Sequence, residues 1–459
     1  MNVDLVIKNA RIVTDGHCIA GGLVVVNGKI ALICDNLQDL PQAGRVIDAG
    51  GKYILPGGVD VHVHFRDPGK TYKEDFSTGS MAAAAGGITT IYDMPNVLPS
   101  TYNIKTFEMK QRIAEEKSFV NYGLYSFLIS NLSEIQPLID AGVGAFKWAH
   151  SLVQFPEEMP DGYHMPDNGE VLSIFEIVAK NNYIVSVHAE DIDIVNKMTA
   201  QLKDNKCNEN DFLAHVEARP DWVELSALQR SVLLADMADC RLHIAHLTSK
   251  RGLEYIKQRK FAGSKVTCEV GPAWFLFNAD DYQKYGGGIR VLPAIRYKED
   301  AEALWQGLKN GDIDCLATDH APHSFDEKFK RSWWDTLPGT IGVQTSMPLM
   351  LDKVNKGELT IERYVEFACE KPARIFGIYP RKGAILPGSD ADLVMVDMDY
   401  EWTITHDQML SKTKYTPYNG YHVRGKPVLT IVNGQIIMEN GNIVGKPGYG
   451  KLVNPKKEW

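Results

Sequence analysis

The first part of the chain, from residue 2 to about residue 55, has the hydrophobic pattern of short β-strands. Apolar runs lie at Asp4–Ala10, Gly22–Val26 and Lys29–Ile33. The dipeptide Asn27-Gly28 separates the last two runs, and this dipeptide is the strongest short-range signal for a tight β-hairpin. The N-terminal segment is therefore predicted to be all β.

The pattern changes from about residue 57 to residue 375. Short apolar runs there alternate with amphipathic segments typical of helices, such as Lys105–Glu116 and Trp222–Asp239. Alternation on this scale predicts a parallel α/β fold, and the number of repeats fits an eightfold (β/α)8 TIM barrel. The apolar runs include Thr89–Tyr92, Gly144–Trp148, Ile184–His188, Leu242–His246, Lys265–Cys268 and Cys315–Asp319.

After about residue 380 the β pattern returns. Gly383–Val396 is predicted to form a turn and a strand, and Val428–Ile437 a second hairpin around Asn433-Gly434. The two β ends are predicted to pair into one small β-sandwich domain, with the barrel inserted between them. The predicted divisions are residues 1–56 for the first part of the sandwich, 57–378 for the barrel, and 379–459 for the second part and a C-terminal tail.

The tail from about Gly445 to Trp459 is polar and rich in glycine, proline and lysine. A segment of this composition has few apolar side chains with which to anchor itself. We expect it to become ordered only by docking on a neighbouring molecule.

Composition and charge limit which binding partners and which cellular compartment are expected. The net charge is −9 and no basic block occurs, so neither nucleic acid nor an anionic membrane is an expected partner. No apolar run approaches the length of a membrane span, and the N-terminus lacks the pattern of a secretory signal. The seven cysteines are scattered without a CxxC pair, which indicates a reducing, cytoplasmic location.

Candidate chemistry begins at His62 and His64, which follow the apolar run Tyr53–Pro56. On a strand, a spacing of two residues directs both imidazoles to the same face. Two neutral imidazoles suit a borderline metal such as zinc. The alternative is a pair of unrelated histidines at a strand edge, so this pair is informative only if other strand ends supply further ligands.

Other predicted strands carry metal-binding or titratable residues at or near their carboxyl ends. In a parallel barrel these ends meet on the face where chemistry occurs. An accidental gathering of so many suitable side chains is improbable, and the sequence therefore predicts a binuclear metal site. Its predicted ligands are His62, His64, Lys147, His188, His246 and Asp319.

Lys147 and Asp319 have particular predicted roles. Burial favours the neutral form of a lysine, and a neutral amine can add carbon dioxide to give an anionic carbamate that bridges two cations. The alternative for Lys147 is an ordinary ion pair, or a side chain that extends out of the barrel to solvent.

Asp319 can bind a metal and also accept a proton from water, whose pKa two cations would lower. This combination predicts metal-assisted hydrolysis of an amide-like bond, with Asp319 as the catalytic residue.

The motifs together resemble the amidohydrolase superfamily, in the cyclic-amidase branch of dihydroorotases, allantoinases and hydantoinases. The resemblance covers essentially the whole chain. It implies two divalent metal ions, expected to be zinc, a carbamylated lysine, a small cyclic amide or ureide as substrate, and a homodimer or homotetramer. It is carried by His62–Gly69, Gly87–Thr90, Asp93–Asn96, Phe146-Lys147, Val187–Glu190, His243–His246 and Asp319–His323.

Within this branch the sequence is most similar to the dihydroorotases, which interconvert dihydroorotate and N-carbamoyl-aspartate in pyrimidine biosynthesis. That similarity implies that Arg66 and Asn96 hold the carboxylate of the substrate and that His323 contacts it as well. A guanidinium fork is chemically suited to a carboxylate.

Other features keep an allantoinase or a hydantoinase of the dihydropyrimidinase type as the alternative. Leu292 stands where dihydroorotases usually have asparagine, Gly271–Phe275 replaces their Pro-His-His, and many single-function bacterial dihydroorotases have aspartate in place of Lys147. An apolar wall made of Leu292, Trp274 and Phe275 would suit a hydantoin with an apolar substituent. A further alternative is a non-catalytic scaffold homologue, which the complete ligand set disfavours.

Overall fold

The structure is a computed structural model, in which the described residues are 3–36, 38, 40–130, 132–150, 159–205, 207–330 and 332–455. The strands are β1 (Leu5–Thr14), β2 (His17–Val26), β3 (Lys29–Cys34), β4 (Arg45–Asp48), β5 (Tyr53–Pro56), β6 (Gly58–Val63), β7 (Ile88–Asp93), β8 (Asn121–Phe127), β9 (Ala145–Ala149), β10 (Ile184–His188), β11 (Arg241–Ile244), β12 (Val266–Val270), β13 (Cys315–Leu316), β14 (Leu393–Thr403), β15 (His422–Val432), β16 (Gln435–Glu439) and β17 (Asn442–Ile443).

Most of the helices lie between the strands of the barrel. They are α1 (Phe76–Ala85), α2 (Ile104–Lys117), α3 (Ile135–Asp140), α4 (Asn168–Lys180), α5 (Ile192–Asp204), α6 (Leu213–Glu217), α7 (Asp221–Met237), α8 (Lys250–Phe261), α9 (Pro272–Leu276), α10 (Tyr282–Tyr285), α11 (Lys298–Asn310), α12 (Phe325–Lys328), α13 (Ser346–Asn355), α14 (Ile361–Val365) and α15 (Lys371–Ile375). A single π-helical turn, Glu366–Glu370, joins α14 to α15.

The terminal segments form one nine-stranded, mostly antiparallel sheet. The N- and C-terminal parts meet where β5 pairs with β14, which places Leu55 opposite Val394. Asn27 and Asn433 adopt left-handed backbone angles of φ 51° and 50°, as the predicted Asn-Gly hairpins require. The predicted pairing of the two β ends into one small domain is confirmed.

The barrel consists of β6 to β13 in sequential order, and each strand is parallel to its neighbour. The sheet closes by a parallel bridge between Val63 and His320, where the backbone N–H of His64 donates to the His320 carbonyl at 2.8 Å. The predicted eightfold barrel is confirmed. The carboxyl ends of all eight strands therefore converge on one face.

Helix caps fix the loops at this face. Asp75 caps α1 through a hydrogen bond from the backbone N–H of Thr78, and Asn103 caps α2 in the same way through Thr106. Both caps are reciprocal capping boxes, since the third residue of each helix bonds back to the cap. They set the ends of the loops that follow β6 and β7.

The C-terminal tail packs on the barrel of its own chain. The N–H of Tyr122 donates to the Lys451 carbonyl at 3.0 Å, and the N–H of Val453 donates to the Tyr122 carbonyl at 2.8 Å. Val453 is 2% exposed, in a cluster that includes Ala145 and Ile184. The prediction that the tail needs a neighbouring molecule is therefore wrong as far as residue 455; residues 456–459 lie outside the described part.

None of the helices in the described part of the chain is both long and apolar enough to cross a lipid bilayer. This finding agrees with the sequence, in which no apolar run approaches the length that such a span requires.

Candidate active site

A cavity of about 160 Å³ opens at the carboxyl ends of the barrel strands. Its wall includes every predicted site residue except His323. These cavity residues are His62, His64, Arg66, Asn96, Lys147, His188, His246 and Asp319. Side chains separated by more than 250 residues in the sequence meet in this cavity because the carboxyl ends of all the barrel strands lie on one face.

His62 and His64 lie side by side, with ring centroids 5.3 Å apart. Oδ1 of Asp319 lies 3.0 Å from Nε2 of His64 and 3.3 Å from Nε2 of His62. Burial lowers the pKa of His62 to about 4 and the pKa of His64 well below its usual range. Both rings are therefore neutral at physiological pH, which is the form that binds a metal.

His188 and His246 form a second pair on the other side of the cavity. Nδ1 of His188 and Nε2 of His246 are 3.0 Å apart, and the ring of His246 is also 5.2 Å from that of His62. Nε2 of His188 donates to Glu190 at 2.9 Å, which directs its Nδ1 lone pair toward His246. Nδ1 of His246 is buried and has no hydrogen-bond partner among the described residues.

Lys147 lies on β9 and is 6% exposed. Its Nζ is buried and makes no hydrogen bond to any residue the structure describes. Burial lowers the pKa of Lys147 to about 8, with Glu269 and Asp319 acting in the opposite direction. A buried amine without a partner is costly in free energy, so its presence in the cavity wall calls for a chemical function.

Glu269 on β12 is a site residue that the sequence analysis missed. Its Oε1 accepts from Nδ1 of His62 and from the backbone N–H of His246, and its Oε2 accepts from Nε2 of His243 at 3.0 Å. Burial acts to raise the pKa of Glu269, but the bonds to His62 and His243 bring it below its usual value. The carboxylate fixes the His62 tautomer with Nε2 toward Asp319, as outer-sphere partners of metal ligands do.

The backbone is strained at the ends of three barrel strands. Arg66, His246 and Asp319 have φ angles of 61°, 33° and 47°, in the left-handed region that residues other than glycine seldom adopt. Each such residue costs about 1–3 kcal/mol and persists only where surrounding contacts enforce it. Because this strained backbone conformation occurs in three cavity residues, it indicates that this face of the barrel is the functional one.

The donor set fits divalent metal ions. Ligand atoms of His62, His64 and Asp319 all lie within 4.8 Å of one another, and the second histidine pair faces the same cavity. Neutral imidazoles and a carboxylate are the ligands that zinc and similar cations prefer. The buried and unbonded Nζ of Lys147 is consistent with such a site.

The three predicted substrate contacts differ in their surroundings. Oδ1 of Asn96 accepts from Nδ1 of His64 at 2.7 Å, so Asn96 orients that ring. Nε of Arg66 donates to the Pro322 carbonyl at 3.3 Å, and its Nη2 lies 3.3 Å from Nε2 of His323. Arg66 is buried and lines the cavity.

His323 lies behind the cavity wall. It is 2% exposed, and it is not among the described residues that line the cavity. Its Nδ1 is 3.1 Å from Nζ of Lys73, and its Nε2 is 2.9 Å from the Pro338 carbonyl. The structure places His323 behind Arg66, in contact with that guanidinium instead of with the cavity.

The apolar wall of the cavity also differs from the prediction. Leu292 lines the cavity, whereas Trp274 and Phe275 do not. Trp274 packs against the ring of His246 at a centroid distance of 5.8 Å, and its Nε1 donates to the Pro293 carbonyl at 3.0 Å. The other apolar side chains of the wall include Met94, Phe127 and Ile192.

Comparison with known proteins agrees with this geometry. Residues 53–437 match the amidohydrolase family. The chain belongs to the amidohydrolase family. This amidohydrolase is 37% identical to L-hydantoinase of Paenarthrobacter aurescens over 456 residues, 98% of each chain, and 36% identical to dihydroorotase of Bacillus cytotoxicus over 440 residues, 94% of this chain and 97% of that one.

Solved structures of hydantoinases share the amidohydrolase fold seen here. L-hydantoinase (dihydropyrimidinase) from Arthrobacter aurescens superimposes with a TM-score of 0.94 at 37% identity, covering 98% of this chain and all (100%) of that one. A D-hydantoinase gives a TM-score of 0.90 at 29% identity, covering 99% and 100%. The amidohydrolase is therefore a hydrolase that acts on the C–N bond of a cyclic amide, and the predicted cyclic-amidase branch is confirmed.

Replacing Glu269 by glutamine should weaken metal binding by this amidohydrolase about 10- to 100-fold, the usual cost of losing an outer-sphere partner. An amide can accept from only one of the two imidazoles, because its NH2 group faces the other. Competition with a chelator during metal titration measures the change. Glu254→Gln, on the exposed side of α8, is the matched control; equal metal affinity in the two variants would contradict this role.

Proposed function

We propose that this amidohydrolase is a dihydroorotase, which interconverts dihydroorotate and N-carbamoyl-aspartate. The observation that carries the proposal is the position of Arg66, a buried guanidinium that lines the cavity two residues after His64. A guanidinium in a desolvated site pairs favourably with a carboxylate. Dihydroorotate carries a carboxylate on the ring that is opened, and a dihydroorotase is among the relatives of the chain.

We further propose that two divalent cations, expected to be zinc, are held by the six predicted ligands, with Lys147 present as a carbamate. The buried and unbonded Nζ of Lys147 supports this role. Bound cations would polarise the amide carbonyl and lower the pKa of water. The six ligands are His62, His64, Lys147, His188, His246 and Asp319.

The other steps of the proposed reaction are assigned to separate side chains of the cavity. Asp319, between His62 and His64, takes a proton from the attacking water and returns it to the ring nitrogen as the C–N bond breaks. Arg66 holds the substrate carboxylate and thereby orients the ring. Apolar side chains such as Leu292 and Phe127 limit the access of bulk water.

A hydantoinase is the second candidate. Met94, Phe127, Ile192 and Leu292 give the cavity an apolar wall, which suits a ring with an apolar substituent. Hydantoinases are also among the most similar relatives in sequence and in structure. Hydrolysis rates for dihydroorotate, dihydrouracil, allantoin and 5-substituted hydantoins separate these functions.

Arg66→Met should lower kcat/KM for dihydroorotate about 10- to 100-fold, because a charged bidentate contact is worth about 1.5–3 kcal/mol. Hydrolysis of uncharged dihydrouracil or hydantoin should change much less. The measurement is steady-state kinetics on the substrate panel, with metal content determined for each preparation.

Two variants serve as controls for Arg66→Met. Arg66→Lys keeps the charge but removes the planar fork, so part of the carboxylate preference should remain. Arg251→Met removes an exposed arginine that pairs with Asp221 outside the cavity, and it should leave the kinetics unchanged. Equal losses on charged and uncharged substrates in Arg66→Met, or a wild-type preference for hydantoins, would replace the dihydroorotase proposal by the hydantoinase one.

A further inference from the structure

Arg219 is a second guanidinium in the cavity wall, and it is 4% exposed. It lies between α6 and α7, in the connection from the fifth barrel strand, β10, to the sixth, β11. Arg66 follows the first barrel strand, β6. The first and fifth strands of an eight-stranded barrel lie on opposite sides, so the two arginines face the cavity from opposite directions.

Neighbouring side chains hold the Arg219 guanidinium in place. Its Nε lies 3.3 Å from Oε1 of Glu190, and its Nη1 donates to Nδ1 of His215 at 3.3 Å. His215 is fixed in the tautomer that can accept this bond, because its Nε2 donates to the Val291 carbonyl at 3.0 Å. The guanidinium is therefore oriented before any ligand arrives, which reduces the entropy lost on binding.

The remaining guanidinium nitrogen of Arg219, Nη2, makes no hydrogen bond to any described residue. Because the side chain is otherwise enclosed and lines the cavity, the N–H groups of Nη2 are donors available to a ligand there. Glu190 balances the charge of Arg219 at short range. A guanidinium that is already paired suits a neutral oxygen acceptor better than a second anion.

We propose that Arg219 donates a hydrogen bond to the ureido carbonyl oxygen of the substrate, the carbonyl that lies between the two ring nitrogens. The proposal rests on the proposed function. In dihydroorotate the carboxylate, the hydrolysed carbonyl and the ureido carbonyl stand on alternate ring atoms, so they point in three directions. The cavity has one polar partner for each of these three groups. Arg66 is the partner for the carboxylate, the predicted metal ligands for the hydrolysed carbonyl, and Arg219 for the ureido carbonyl. Arg219 thereby selects cyclic ureides over rings that lack this carbonyl.

Three competitive inhibitors test the contact. N-carbamoyl-aspartate, N-acetyl-aspartate and succinate share two carboxylates, and only the first two carry a carbonyl where the ureido group stands. Inhibition constants are measured against the best substrate of the panel. We expect wild-type enzyme to bind the first two about tenfold more tightly than succinate, the effect of a hydrogen bond from a charged donor. In Arg219→Met this advantage should fall below about threefold, with metal content unchanged.

Further variants make the outcome decisive. Arg219→Lys should also bind the two carbonyl-bearing inhibitors no more than about threefold more tightly than succinate, since an ammonium bound to Glu190 cannot reproduce the planar guanidinium fork. This variant replaces Arg219→Met if the methionine variant misfolds. Arg251→Met should retain the wild-type advantage. Equal weakening of all three inhibitors, or loss of metal, would show that Arg219 only braces Glu190 and His188, and would overturn the proposal. If Arg66→Met leaves all three constants unchanged while Arg219→Met acts selectively, the dihydroorotase proposal fails and the Arg219 contact stands.

Discussion

Asp319→Asn should lose at least about 10²–10⁴-fold in kcat, the usual contribution of a positioned general acid–base group. Asparagine has nearly the same shape, but its amide can neither take a proton from water nor return one to the ring nitrogen. Asp319 is 8% exposed, and its Oδ1 lies within 3.3 Å of Nε2 of both His62 and His64, so this carboxylate is placed to take the proton. Burial raises the pKa of the Asp319 carboxyl, which makes it a stronger base.

The comparison that isolates this role is between kcat and metal content. Asp319→Asn keeps one oxygen toward His64, so we expect the fold and at least one equivalent of metal to remain. Asp326→Asn, at an exposed position of α12, is the matched control and should keep wild-type kcat. A kcat within about tenfold of wild type in Asp319→Asn would rule out the proton-transfer role.

The barrel could be predicted because its strands are buried on both faces and therefore read as continuous apolar runs. β8 was not identified, since Asn121 and Ser126 interrupt its apolar pattern although both side chains are buried. The tail was misjudged for a related reason. Its anchoring uses backbone hydrogen bonds to Tyr122 and a close approach at Gly450, and composition records neither of these.

The cavity residues could be predicted as far as one rule extends, namely that chemistry lies at the carboxyl ends of barrel strands. Glu269 obeys that rule, but it lies one residue beyond the apolar run Lys265–Cys268, so the run does not identify it. Arg219 does not obey it, since it lies in a connection between helices and reaches the cavity through the packing of Glu190 and His215. His323 was assigned by resemblance alone, and the structure places it one contact behind Arg66.

Lys147→Ala should lose bound metal and lower kcat/KM by more than about a hundredfold, since removal of a direct ligand costs at least as much as removal of an outer-sphere partner. The reason is the position of Nζ, which is buried in the cavity wall without a hydrogen-bond partner. As a carbamate this group would carry two oxygens that share one negative charge, and both could bind cations. Alanine supplies neither oxygen, so a short carboxylic acid such as propionate, diffusing into the vacated space, should restore part of both metal content and activity.

A second readout separates a bridging carbamate from a lysine that is merely buried. Wild-type enzyme loaded with metal in the presence of isotope-labelled carbon dioxide should retain the label until the metal is removed, and Lys147→Ala should retain none. Lys180→Ala, at the exposed end of α4, is the matched control and should behave as wild type. A free amine at Lys147 in fully active, metal-loaded enzyme would refute the carbamate. In that case the lowered pKa of Lys147 would be a consequence of burial without a chemical role. The cations would then have to be held by the four histidines and Asp319.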